Sequence, residues 1–262
     1  MSLPEPTFAP YGDNKIAYYS YGSGSEAVIF IHGWTCDSAL WEPQQPLFTK
    51  YKRTLLVEYI GHGKSHAPKI DYSHETFARS IKAALDHAKV EQAVIVAFSM
   101  GGPISTTVLR LFPDLVKGIV YVDSFFRLPE HYLTNLELEA VRARTSSDSA
   151  FEPWVRGILT NATPSVIETV INRMLSTPIH VRISATSTES RPHAFQYDEV
   201  YDIPALHIGT FFAKMDPFWK FHMPQIELQE EQWRDCSHFP FLDQPERFNE
   251  AVAKWIEEKG LM

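Results

Sequence analysis

The 262-residue sequence predicts an α/β fold: a mostly parallel sheet flanked by helices, with one helical insertion. Three observations lead there. The runs VIFI, VIVAF and IVYV are apolar on consecutive residues, as strands buried on both faces are. Helical periodicities lie between such runs, and strand–helix alternation over this length builds an α/β domain. From Arg127 to about Asp202 the alternation stops and only helical patterns follow.

The elements come in order. Lys15 to Tyr21 and Ala27 to Ile31 read as strands, then Thr54 to Val57, Ala93 to Phe98, Gly118 to Val122 and Ala205 to Ile208. Ile226 to Trp233 is strand-like. Ser73 suits an N-cap, and Phe77, Ile81, Leu85 and Ala88 follow at helical spacing. Met100 to Phe112 reads as a helix stopped by Pro113. Thr163-Pro164 starts a helix that carries Val166, Ile167, Val170 and Ile171. Pro245 opens the last helix, with Phe248, Val252, Trp255 and Ile256 on one face and Gly260 at its end. The chain therefore divides into a core, residues 1–126 and 203–262, and an insertion, residues 127–202.

Composition narrows the function. With 44% hydrophobic residues the chain can bury one large core. A net charge of -8 without a Lys/Arg block argues against nucleic-acid or anionic-membrane partners. No apolar run approaches the ~20 residues that span a bilayer. The opening residues MSLPEPTFAPYGD do not resemble a signal peptide. Cys36 and Cys236 form neither a disulfide framework nor a metal spacing, so a reducing cytoplasm is expected. Asn161-Ala162-Thr163 fits a glycosylation pattern only by chance in that setting. No HExxH or Cys/His cluster occurs, and no metal or organic cofactor is expected. The expected partner is a small-molecule substrate; the sequence says nothing of oligomeric state.

The chemistry centres on Ala97-Phe98-Ser99-Met100-Gly101. Small residues two positions either side of a serine suit a sharp strand-to-helix turn that lifts the hydroxyl as a nucleophile. The helix behind it aims free amides and its positive dipole end at the reaction site. Ala97 stands where a glycine is commoner. Ile31-His32-Gly33-Trp34 follows the VIFI strand, and its glycine lets an amide turn toward a developing oxyanion. The backbone N–H groups of Trp34 and Met100 are the expected pair. His32 is read as a structural histidine that fixes this loop. Gly61-His62-Gly63-Lys64-Ser65 is a loop signature without chemistry, and its spacing is wrong for a phosphate loop.

HGW, GHGKS, AFSMGG and a terminal Ser237-His238-Phe239-Pro240 before Asp243-Gln244-Pro245-Glu246-Arg247-Phe248 occur in the order of the α/β-hydrolases, which the chain resembles over essentially its whole length. The resemblance implies an eight-stranded, mostly parallel sheet with the insertion as a helical cap. It implies a base in the loop that carries His238. His207, within a strand, is read as a core or sheet-face histidine. His62, His66, His74, His87, His131, His180, His193 and His222 have no comparable position and are expected on the surface or cap.

The resemblance places the triad acid after either of two strands. Asp123 ends the IVYV strand, on the crest where catalytic groups belong in open α/β sheets. After the next strand the usual place is Phe212, which has no carboxylate, and Asp216 before Pro217 suits a helix N-cap. Asp123 is favoured and Asp216 stays open. The expected activity is serine-based cleavage of a small to medium, mostly apolar ester or lactone through an acyl-enzyme. A carbon–carbon bond hydrolase, a cofactor-free dioxygenase on an aromatic substrate and a non-enzymatic ligand receptor remain alternatives. Phe125, Phe126, Leu128, Trp154, Ile158, Phe195 and Tyr197 are available to line an apolar pocket with Trp34.

Overall fold

Consecutive apolar residues divide their side chains between two cores on the two faces of a sheet. Ile29, Ile31, Leu55, Val57, Ile95, Ala97, Ile119 and Tyr121 pack on one face. Val28, Phe30, Leu56, Val94, Val96, Phe98, Val120 and Val122 pack on the other. That is the period-two alternation of a strand covered on both sides. A computed structural model describes residues 3–124, 135–186, 199–210, 219–229 and 233–262, with the backbone alone for 135–138.

The strands are β1 (Thr7–Tyr11), β2 (Asn14–Gly22), β3 (Glu26–Ile31), β4 (Arg53–Glu58), β5 (Gln92–Phe98), β6 (Val116–Val122), β7 (Ala205–Ile208) and β8 (Ile226–Gln229). They form one sheet in the order β1-β2-β4-β3-β5-β6-β7-β8. Only β2 runs antiparallel to its neighbours; every other pair is parallel. The helices are α1 (Gln45–Phe48), α2 (His74–His87), α3 (Gly101–Leu111), α4 (Asn135–Thr145), α5 (Asp148–Ile158), α6 (Pro164–Ser176), α7 (Ile179–Ser184), α8 (Trp219–His222), α9 (Pro240–Asp243) and α10 (Pro245–Glu258). Ser73 and Thr163 cap α2 and α6 through their side chains, as their sequences predict.

Two readings need correction. β1 was not foreseen: it is an edge strand, mostly exposed and containing Pro10, so it lacks the apolar run. The last strand is described over Ile226–Gln229, and Trp233, read as its end, lies in a turn instead; residues 230–232 fall outside the described residues.

Aromatic packing joins the loops that carry the site. Trp41, fully buried, stacks on Phe241 at 4.2 Å and meets Phe30 edge-on at 5.2 Å. Trp41→Ala is expected to lower unfolding free energy by about 3–5 kcal/mol in a denaturant titration.

Candidate active site

The parallel strands end on one crest, with Phe98, Val122 and Ile208 side by side in register and Ile31 one step back, opposite Ala97. The residue after Phe98 is Ser99, at φ 51°, and the residue after Val122 is Asp123, at φ 39°. Both lie in the left-handed region that L-residues rarely occupy, a strain of the kind held at functional sites. The ladder persists one step past each strand: Ser99 N–H donates to Val122 O at 3.0 Å and Asp123 N–H to Ile208 O at 2.7 Å. Ser124 Oγ and Gly102 N–H both donate to the Ser99 carbonyl. Gly101 lets the turn sit on β3, since a Cβ there would fall 2.7 Å from His32 O.

His238 brings the remaining chemistry. Its Nε2 lies 3.0 Å from Ser99 Oγ and its Nδ1 lies 2.6 Å from Asp123 Oδ2. Asp123 Oδ1 accepts the Thr210 N–H at 2.8 Å. Burial alone would raise the Asp123 pKa; the hydrogen bond and charge of His238, with Thr210, override it and hold the carboxyl below its ordinary value. The acid is therefore ionised and fixes the imidazole with its proton on Nδ1, leaving Nε2 to face the serine hydroxyl. Asp243 holds the His238 loop by accepting the Ser237 N–H and Oγ–H, both at 2.7 Å. His207, fully buried, reaches Ser124 O at 3.1 Å and braces the Asp123 loop from the core.

The turn that follows β3 is held by hydrogen bonds on both sides of Trp34. Gly33 O accepts from His32 Nδ1 (2.9 Å), Tyr59 Oη (2.9 Å) and Cys36 N–H (3.2 Å). Thr35, at φ 60°, donates its N–H to His62 Nε2 at 3.2 Å, and its carbonyl accepts Thr177 Oγ1 from the end of α6 at 3.0 Å. The Trp34 and Met100 N–H groups make no hydrogen bond among the described residues. They stand at the turn and at the start of α3, where an oxyanion of a substrate on Ser99 would need donors.

His32 is the structural histidine expected, stacked on Tyr59 at 4.1 Å. His62, His74 and His222 are not on the surface: each is at most 2% exposed. His62 is buried because its ring supplies the acceptor for Thr35, and His222 because its Nδ1 reaches Glu199 O at 2.7 Å. His74 opens α2 with its side chain packed inward. Glu58 was also missed. Its carboxylate lies under the GHGKS loop and accepts Lys64 N–H (2.6 Å) and Ser38 N–H (3.2 Å).

These buried groups set a pH dependence. Burial pushes His32 down to about 4, against the Gly33 carbonyl, and drives His62 well below the ordinary histidine value, helped by His32. Burial raises Glu58 to about 7, opposed by the Lys64 N–H and reinforced by Asp37. As the pH falls from 6 toward 5, unfolding lets two histidines take up protons and releases one from Glu58. The unfolded chain then binds about one proton more, so stability falls on acidification by up to about 1.4 kcal/mol per pH unit. Denaturant titrations at pH 7.5, 6 and 5 are expected to show this fall. Glu58→Gln removes the opposing proton and should steepen it.

Helices α5 and α6 reach the site. His238 N–H donates to Ile158 O at the end of α5 at 3.2 Å, and Arg173 of α6 pairs with Asp37 at 3.3 Å. Trp34 meets Trp154 at 5.6 Å, while Ile158 is buried in the core beneath. Asp216, Phe212, Phe125, Phe126, Leu128, Phe195, Tyr197, His131 and His193 lie outside the described residues. Among the described residues no group of three His, Cys, Asp or Glu could hold a metal ion. None of their helices is long and apolar enough to cross a membrane.

Residues 26–149 match the family model described as alpha/beta hydrolase fold, a span that takes in Ser99 and Asp123 and ends before His238. A 2-(acetamidomethylene)succinate hydrolase of Mesorhizobium japonicum is 30% identical over 128 residues, 49% of this chain and only 44% of that protein. The (E)-2-((N-methylformamido)methylene)succinate hydrolase of Acinetobacter baylyi is 25% identical over 94% of this chain and 95% of its own length. Among solved structures, Est816, an N-acyl homoserine lactone degrading enzyme, superposes with a TM-score of 0.83 at 23% identity, covering 95% of this chain and 99% of that one. With the family-model match, the strand order and the single antiparallel strand β2 inside an otherwise parallel core, the chain has the α/β-hydrolase fold.

Proposed function

We propose that the protein is a serine hydrolase that cleaves a small to medium, mostly apolar ester or lactone through an acyl-enzyme. One observation carries this reading: the unbroken chain from Ser99 Oγ through His238 to Asp123, with spacings of 3.0 and 2.6 Å. Ser99 Oγ attacks the carbonyl carbon while its proton passes to His238 Nε2. The Trp34 and Met100 N–H groups hold the resulting oxyanion, and Asp123 stabilises the imidazolium. The tetrahedral intermediate collapses, and His238 returns the proton to the departing alkoxide. Water, deprotonated by the same nitrogen, then releases the acid and restores Ser99. The segment 127–202 acts as the cap over this site.

The lactone-degrading enzyme of like fold supports the ester and lactone choice. The substrates named for the Mesorhizobium and Acinetobacter proteins contain an amide and no ester, which favours a second reading: the same residues acting on a non-ester carbonyl compound. A panel of short and aromatic esters, lactones and N-acyl enamines, run on wild type and Ser99→Ala, tests both. Ester or lactone turnover that vanishes in Ser99→Ala supports the first reading. Turnover confined to the enamines supports the second. Hydrolysis at the wild-type rate in Ser99→Ala would refute the nucleophile.

A further inference from the structure

An aromatic wall runs outward from the oxyanion turn. Trp34 meets Phe151 edge-on at 5.4 Å and Trp154 at 5.6 Å, and Phe151 stacks on Trp154 at 5.5 Å. Trp34 directly follows Gly33, where a Cβ would fall 3.1 Å from Ser99 Cβ, so the wall begins beside the nucleophile. Ser99, His238, Trp34 and Trp154 are all only partly buried, which sets this wall at the edge of the core.

Two arginines flank the wall and differ in one respect. Arg182 lies over Phe151 at 5.1 Å and is neutralised by Asp148 at 2.7 Å. Arg144, in the last turn of α4, lies over the Trp154 ring at 5.2 Å and meets no carboxylate among the described residues. Asp148, four residues on, would be its natural partner but is held by Arg182. Arg156 and Arg173 of the neighbouring helices each have a carboxylate, and Arg142 is exposed to water. Burial also pulls the Arg144 pKa below its ordinary value, as expected of a cation that has lost water without gaining an anion. A guanidinium stacked on indole by its face keeps its N–H edges available, and those edges match a carboxylate in two parallel hydrogen bonds.

We infer that Arg144 is a specificity residue that binds a carboxylate of the substrate. The compound cleaved at Ser99 then carries an anionic group at the far end of an apolar stretch lying along Trp34 and Trp154. The inference rests on the serine-hydrolase reading for the scissile bond alone; the anion site stands on Arg144 and the wall.

Monomethyl adipate and methyl hexanoate test it, being methyl esters of equal chain length that end in a carboxylate and a methyl group. Wild type is expected to favour the adipate ester at least tenfold in kcat/KM. Arg144→Gln should reduce that ratio at least tenfold, mainly through KM, and Arg144→Lys should restore part of it. An unchanged ratio in Arg144→Gln, or a wild-type preference for methyl hexanoate, would overturn the assignment. A second arm needs no turnover: adipate binding to Ser99→Ala protein, followed by tryptophan fluorescence. Adding Arg144→Gln should weaken that Kd at least tenfold, and an equal Kd would overturn the inference. Were Ser99→Ala to hydrolyse both esters like wild type, the serine reading would fail while the binding arm still decided Arg144.

Discussion

Ser99→Ala is expected to lower kcat by about 10⁵–10⁶-fold while leaving the fold intact, since removing a serine nucleophile costs about as much as removing the whole constellation. The substitution deletes one half-buried hydroxyl, whose hydrogen bond to His238 contributes about 1 kcal/mol. Alanine keeps the Cβ, so the left-handed backbone at φ 51° stays strained. Ser99→Gly removes that penalty as well and is expected to be inactive yet more stable than Ser99→Ala, by about 1 kcal/mol. Thermal unfolding of the three proteins beside their turnover numbers checks both halves. A Ser99→Gly protein less stable than Ser99→Ala would mean that the elbow stores no strain.

Asp123→Asn is expected to reduce kcat by about 10⁴-fold. The backbone can accept it, because asparagine tolerates the φ of 39°. The hydrogen bonds cannot all survive. Asp123 now accepts from both Thr210 N–H and His238 Nδ1, one on each carboxylate oxygen. Asparagine has a single oxygen. If that oxygen keeps Thr210, its NH₂ faces His238 Nδ1, and the imidazole proton moves to Nε2, opposite Ser99 Oγ. The base is then blocked by its own proton. If the oxygen keeps His238, the buried Thr210 N–H loses its acceptor, a loss of about 1–3 kcal/mol. Steady-state kinetics with unfolding curves separates these outcomes, and Asp216→Asn serves as the comparison, expected to retain turnover. Loss of turnover in Asp216→Asn alone would move the acid to Asp216.

The parts legible in the sequence are those whose signal is local. VIFI, VIVAF and IVYV announce buried strands by themselves, and Ser99 is marked by the small residues two positions away. Ser73 and Thr163-Pro164 mark helix starts for the same reason. The parts missed depend on contacts distant along the chain. Nothing near His62 reveals that Thr35, 27 residues earlier, needs an acceptor. Glu58 reads as a charged strand end, yet the Ser38 and Lys64 amides draw it inside. Arg182 sits in a six-residue helix without clear periodicity, and its burial follows from Thr177 O, Leu175 O and Asp148. Asp123 and Asp216 follow different strands, and the His238 loop that reaches Asp123 lies 115 residues away, so no local signal separates the two aspartates.

Mass spectrometry of the protein quenched with acid during turnover of a slowly deacylated p-nitrophenyl ester tests the central claim most directly. The account predicts one acyl group per chain, carried on the peptide that contains Ser99, together with a stoichiometric burst of p-nitrophenol, and neither in Ser99→Ala. Steady ester turnover with no acyl group on that peptide, or an acyl group of the same stoichiometry in Ser99→Ala, would contradict it.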